Sequence, residues 1–175
     1  MECRETNFIH IKWSGPHTLA DISSFNGEED YGIYQVYGAH HVYGIDTLLY
    51  IGRAEKQTFS TRFTQHNWCS VNHDAGRLQV YLGRLCDDKI PTIEAWERNI
   101  RLAERLLIYA HKPAENSQKE IAAFDEELSN VHVLNWFLYR DLLPEVSGAR
   151  WSGLYDHIPY KPNFSTAKAI TLSPS

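Results

Sequence analysis

With 175 residues, 43% of them hydrophobic and 22% charged, the chain can build one domain with a real core, and two would be cramped. A formal net charge of −5 argues against a generic nucleic-acid coat, though it leaves room for a local basic groove. No apolar run approaches the roughly 20 residues of a membrane helix, the start MECRETNFIH lacks a secretion-signal pattern, and the scattered Cys3, Cys69 and Cys86 point to a reducing, cytoplasmic setting.

In chain order, NFIHIKWSG alternates apolar and polar residues and predicts a first strand, stopped by Gly15-Pro16. HTLADISSF predicts a short helix and NGEED a polar turn. YGIYQVYGA and DTLLYIGRA, rich in β-branched and aromatic residues, predict two strands joined by a hairpin loop, HHVYGID, longer than the tightest types. TFSTRFTQHNW predicts a helix capped by Thr58 or Ser60, and LQVYLGRL a further strand. The clearest helix is PTIEAWERNIRLAERLLIYAHK, where Ile93, Trp96, Ile100, Ala103, Leu107 and Ala110 form an apolar stripe between Pro91 and Pro113. EIAAFDEEL predicts a short helix and VHVLNWFLY a strand. RDLLPEVSGARW mixes turn and apolar residues, and the tail NFSTAKAITLSPS is expected to hold little regular structure. Charge is uneven: GRAEKQTFSTR and RNIRLAER are basic, NGEEDY and FDEEL acidic.

Singly, the residues with chemical potential are ordinary. Tyr34 and Tyr50 suit a strand. Arg62 and His66, four apart, would share one face of the short helix. Glu104 borders the apolar stripe, where a solvated glutamate is usual, and Asn116 fits a turn. In order they form a pattern: GIY at Gly32–Tyr34, YIG at Tyr50–Gly52, RFTQH at Arg62–His66, ERLLI at Glu104–Ile108 and PAEN at Pro113–Asn116. That pattern resembles the GIY-YIG nuclease family.

The resemblance implies an α+β domain with a small, mainly antiparallel three-stranded central sheet flanked by helices. Residues 31–116 would be its core, and 1–30 and 117–175 extensions within the same single domain. It implies an endonuclease that cuts a nucleic-acid phosphodiester, with DNA the expected substrate, by in-line attack of water. One Mg²⁺ (or Mn²⁺) would be bound through Glu104, since this ion keeps several waters and takes few carboxylates. Arg62 offers a rigid fork of donors for phosphate oxygens. Tyr34 or His66 would take the proton of the water, Tyr50 would orient it, and Asn116 would brace the site. A tyrosine titrating near 10 needs neighbouring cations to serve as base. Arg53 and Lys56, beside the YIG motif, could touch nucleic acid. Cutting both strands would suit a homodimer, and no membrane is involved.

Three other readings compete, one of them RNA in place of DNA as the substrate, since the catalytic residues would contact phosphate and not the sugar. His66, Cys69 and His73 in HNWCSVNH have ligand-like spacing, but structural zinc normally takes four ligands, often in closely spaced pairs. The acidic balance favours a catalytically silent module that binds nucleic acid or a protein.

Overall fold

The computed structural model describes residues 6–66, 68, 77–86 and 92–152. The expectations for Cys3, Cys69, His73, Pro91 and the tail fall outside those residues. Strands β1 (Asn7–His17), β2 (Gly32–His40), β3 (Gly44–Ala54), β4 (Gln79–Leu85), β5 (Val131–Phe137) and β6 (Glu145–Ser147) form one sheet. Helices are α1 (Leu19–Ile22), α2 (Phe59–Thr64), α3 (Ile93–His111), α4 (Gln118–Ala122) and α5 (Gly148–Trp151).

The sheet overturns the expected three-stranded centre. It is six-stranded, mixed and curled, in the order β3-β2-β4-β1-β5-β6, and its helices are few and mostly short. β1 and β5 run parallel, and the other neighbours run antiparallel. The physical reason lies in burial. In NFIHIKW the alternate residues Ile9, Ile11 and Trp13 are buried, so this strand belongs inside a sheet and not in an appendage. It pairs with β4 on one side and β5 on the other. Segments read as extensions before residue 31 and after 116 therefore supply half of the strands.

Other local expectations need smaller corrections. β1 runs on through Gly15-Pro16 to His17 with a bulge, a position where a sheet tolerates proline. The β2–β3 strands reach His40 and start at Gly44, so the hairpin link is shorter than predicted. There His40 Nδ1 accepts the backbone N–H groups of Val42 and Tyr43, each at 3.2 Å. Thr58 is the cap of α2, accepting from Thr61 N–H at 3.3 Å. α3 starts after the Thr92 cap and ends at Lys112, whose left-handed conformation precedes Pro113. Ile93, expected in its apolar stripe, is exposed; Ile100, Ala103, Leu106 and Leu107 carry the burial.

The sheet separates two apolar layers. One face, with Ile11, Trp13, Ile33, Ile51 and Val133, packs against α3. The other, with Tyr34, Val36, Val80 and Leu82, packs against Ile22 of α1, Phe59 and Phe63 of α2, and Trp68. Each fully buried Leu, Ile or Phe contributes about 1.5–3 kcal/mol. Among the described residues, no helix is long and apolar enough to cross a membrane.

Candidate active site

The motif residues gather around β3, the edge strand of the sheet. Tyr34 on β2 stands opposite Gly52 on β3. A Cβ placed on Gly52 would lie 2.5 Å from the Tyr34 hydroxyl oxygen and 2.6 Å from Tyr50 Cε1. Glycine thus opens the gap through which the two tyrosines meet, with ring centroids 6.1 Å apart. The Tyr34 hydroxyl and His66 Nε2 share a hydrogen bond of 3.2 Å. The His66 ring lies 5.7 Å from that of Tyr50.

Trp68, which the motif pattern does not mark, closes this side. Its ring centroid lies 4.8 Å from Phe63 and 4.9 Å from His66, and its edge meets both tyrosines. Its indole N–H donates to Phe63 O at 3.1 Å.

α2 stops at Thr64 with Gln65 as its cap, so Arg62 and His66 do not share a helix face. The turn after the helix returns His66 to Tyr34. Arg62 donates from Nη1 to Gln65 Oε1 at 3.3 Å, while its buried Nε–H has no acceptor. Arg62 also stands within hydrogen-bonding influence of the Tyr34 phenol, which it stabilises in the charged form. Burial holds the Tyr34 phenol well above its ordinary range, reinforced by Tyr50 and opposed by the Arg62 charge. Burial and Arg62 together hold His66 below its usual value, so its ring is neutral near neutral pH.

The acidic half lies on the other side of the edge strand. Arg53 follows Gly52, and its Nη1 pairs with Oε2 of Glu104 on α3. Its Nε also lies 3.4 Å from Glu55 Oε2, a buried oxygen without a hydrogen bond. Glu104 is 7% exposed, and burial pushes its carboxyl up to about 7; Arg53 opposes that rise, while Glu120 and Glu55 add to it. Tyr50 connects the two halves. Burial raises its hydroxyl first, then Glu120 and Glu104, against the charges of Arg62 and Arg53.

Asn116 fixes the strand between them. Its Oδ1 accepts from Ile51 N–H at 3.0 Å and its Nδ2 donates to Ile51 O at 3.1 Å, imitating another strand. Ala114 and Glu115 N–H add bonds to Leu48 O and Leu49 O, of 3.1 and 2.8 Å. Lys56 stands apart, exposed, 3.8 Å from Glu97.

No protein-family model, no curated protein and no solved structure matches the chain.

Among the described residues, no group of three or more His, Cys, Asp or Glu side chains is arranged to hold a metal. The donors still suit a hard cation that needs one or two protein carboxylates. Glu104 and Glu55 bring carboxylate oxygens, and a divalent charge would offset the burial, and the lesser repulsion from Glu120 and Glu55, that raise the Glu104 carboxyl. The motif pattern included neither Glu55 nor Glu120. Their signal was the acid beside Arg53 and the serine-glutamate spacing of Ser117 and Glu120, which forms a capping box on α4.

Proposed function

We propose that the protein is a divalent-metal-dependent endonuclease that hydrolyses a phosphodiester bond of nucleic acid, with DNA as its substrate. The observation that carries this reading is the hydrogen-bonded Tyr34–His66 pair beside the Arg62 guanidinium, with Glu104 across the edge strand. Support also comes from the ordered motifs that resemble the GIY-YIG nucleases; the sheet itself lends none.

In this reading Arg62 receives a non-bridging phosphate oxygen and holds its charge as negative charge builds on the phosphoryl group. Tyr34 is too deeply buried to meet water. Its hydroxyl oxygen accepts the His66 Nε2–H, the tautomer that leaves Nδ1 free to take the proton of the attacking water. The water oxygen bonds to phosphorus in line as the bond to the leaving sugar oxygen breaks, and that oxygen is released as a hydroxyl after protonation from solvent. Tyr50 positions the water or a phosphate oxygen through its hydroxyl. Glu104, with Glu55 beside it, would hold Mg²⁺ or Mn²⁺, which supplies charge neutralisation at the phosphoryl oxygens. Asn116 keeps Tyr50 and Gly52 in place.

The test is a panel of supercoiled, branched and single-stranded DNA and RNA, each incubated with and without Mg²⁺ or Mn²⁺. Metal-dependent cleavage that depends on Arg62 and Glu104 supports the reading. Binding without cleavage on every substrate gives the fold a silent binding role instead.

A further inference from the structure

The sheet face that carries Tyr34 continues beyond the candidate site. Tyr34 is in register with Leu82 of β4, and Leu82 with Ser14 of β1. Alternation from Ser14 sends Lys12, His10 and Phe8 to the same face. β5 adds Trp136 opposite Lys12 and His132 opposite Phe8. Over β2 and β4 this face is covered by α1 and α2; over β1 and β5 it stands open, with Phe8 54%, Trp136 46% and Phe137 71% exposed. Exposed rings gathered in this way mark an interaction surface.

The arrangement of the rings narrows the occupant. Trp136 Nε1 donates to His10 Nδ1 at 3.1 Å, and the two ring planes are 3° apart with centroids 6.0 Å apart. A hydrogen bond between ring nitrogens at that centroid distance sets the rings edge to edge, not face on face. They form one flat tile whose joining polar atoms are already satisfied. Phe137 adopts φ 66°, a left-handed conformation rare for an aromatic residue, and its ring lies 5.3 Å from the Lys12 ammonium. Phe8 tilts on His132 at 5.3 Å.

Lys12 is the cation beside the tile, while His132 lies 3.6 Å from the exposed Glu145. Lys12 is in register with Arg84, whose guanidinium lies over Phe25 and Phe59 and pairs with Asp30. From β5 to β2 is three strand spacings of about 4.8 Å each, roughly 14 Å, a span of a few nucleotides. A hydrogen-bonded planar tile beside a lysine offers a flat surface with a neighbouring positive charge. An unpaired base fits such a surface, because its π-face is open, whereas a duplex hides its base faces except at the ends.

We propose that this face is a stacking platform for single-stranded nucleic acid. One base lies on the His10–Trp136 tile, neighbouring bases meet Phe8 or Phe137, and the backbone passes Lys12 toward Tyr34. The cleavage at the far end rests on the nuclease reading above; the platform does not.

The test is fluorescence anisotropy of labelled dT and rU oligomers of about 12 nucleotides, and of a blunt duplex, with the full chain in EDTA. Both single strands are expected to bind about tenfold tighter than the duplex, and a dT–rU difference reads the sugar. Trp136→Ala and His10→Ala should each weaken single-strand binding by roughly 5- to 150-fold, with Trp136→Phe retaining part of the affinity as a control for folding. Lys12→Ala should also reduce the slope of log K against log salt by about 0.7. Equal affinity for single strand and duplex, or unchanged single-strand affinity in Trp136→Ala, overturns the platform. So does a change of oligomeric state in Trp136→Ala with oligonucleotide affinity intact, which assigns the face to self-association. Cleavage with no Trp136-dependent binding sinks the platform alone; Trp136-dependent binding with no cleavage of any substrate sinks the nuclease reading alone.

Discussion

Tyr34 and Gly52 face each other across the β2–β3 ladder, and the tyrosine hydroxyl sits where a side chain on residue 52 would have to go. The second glycine of the paired motifs is therefore a spatial requirement of the first tyrosine. Gly52→Ala should push the Tyr34 ring off His66, costing about 1–3 kcal/mol in stability by overpacking. Thermal melts and cleavage assays together check it. A variant as stable and active as the parent contradicts the close packing of the site.

Glu104 carries a second prediction, one of opposing signs. Burial raises its carboxyl from 4.5 to about 7 against the Arg53 charge, so below about pH 7 the folded, metal-free protein favours the protonated form. Stability is then fully present below about pH 4.5 and is lost as pH rises through about 7, by up to about 3 kcal/mol. Glu104→Gln should remove that loss, so at about pH 8 the variant melts higher than the parent without metal, while cleavage falls. Mg²⁺ should release a proton from the parent near pH 7 and none from the variant, measurable in weakly buffered solution.

Asn116 predicts a local effect on the edge strand. Asn116→Ala leaves the N–H and C=O of Ile51 unpaired in a buried setting, at a cost of about 1–3 kcal/mol each. Hydrogen exchange should speed up at the Ile51 amide and at its β3 neighbours, with β1 and β4 unaffected. Uniform exchange across the sheet would instead mean global destabilisation.

His111 gives the molecule an acid limb away from the site. Its Nδ1–H donates to Leu107 O at 2.9 Å, and its Nε2 accepts from Leu143 N–H at 2.8 Å. Burial holds its pKa below 6.5, against the raising effect of the Leu107 bond. Its contribution is present above about pH 6.5 and is lost as pH falls below that toward the depressed folded value. Melting temperature should drop between about pH 7 and 5.5 in the parent and drop less in His111→Gln. Equal pH dependence in both proteins removes His111 as the cause.

The local patterns were legible to different depths. NFIHIKW announced a strand by its alternation, yet nothing in its neighbourhood named its partners, because β4 and β5 lie far along the chain and strand pairing is nonlocal. Residues before 31, an extension within the same domain by the resemblance, supply β1, where Ile9, Ile11 and Trp13 are buried in the sheet. Four-residue spacing suggested a shared helix face for Arg62 and His66, but the Gln65 cap ends the helix first and tertiary packing brings His66 back. Glu104 was read at the solvent border of its helix, whereas Arg53 draws it inside. Trp68 and Glu55 fall outside the motifs, and only the fold brings Trp68 against His66 and Glu55 against Arg53. The convergence of Tyr34, Tyr50, Arg62 and His66 did lie in the order of the motifs.

The central claim is that Arg62 and Glu104 serve one metal-dependent phosphodiester cleavage. Its most direct measurement is nicking of supercoiled plasmid against Mg²⁺ concentration for the parent, Arg62→Ala and Glu104→Ala, with folding checked by circular dichroism. The account predicts metal-dependent nicking by the parent and a loss of about 100-fold or more in each variant, the scale seen on removing an electrostatic contact to a transition state. Nicking that persists undiminished in Glu104→Ala, or that needs no metal, would contradict it.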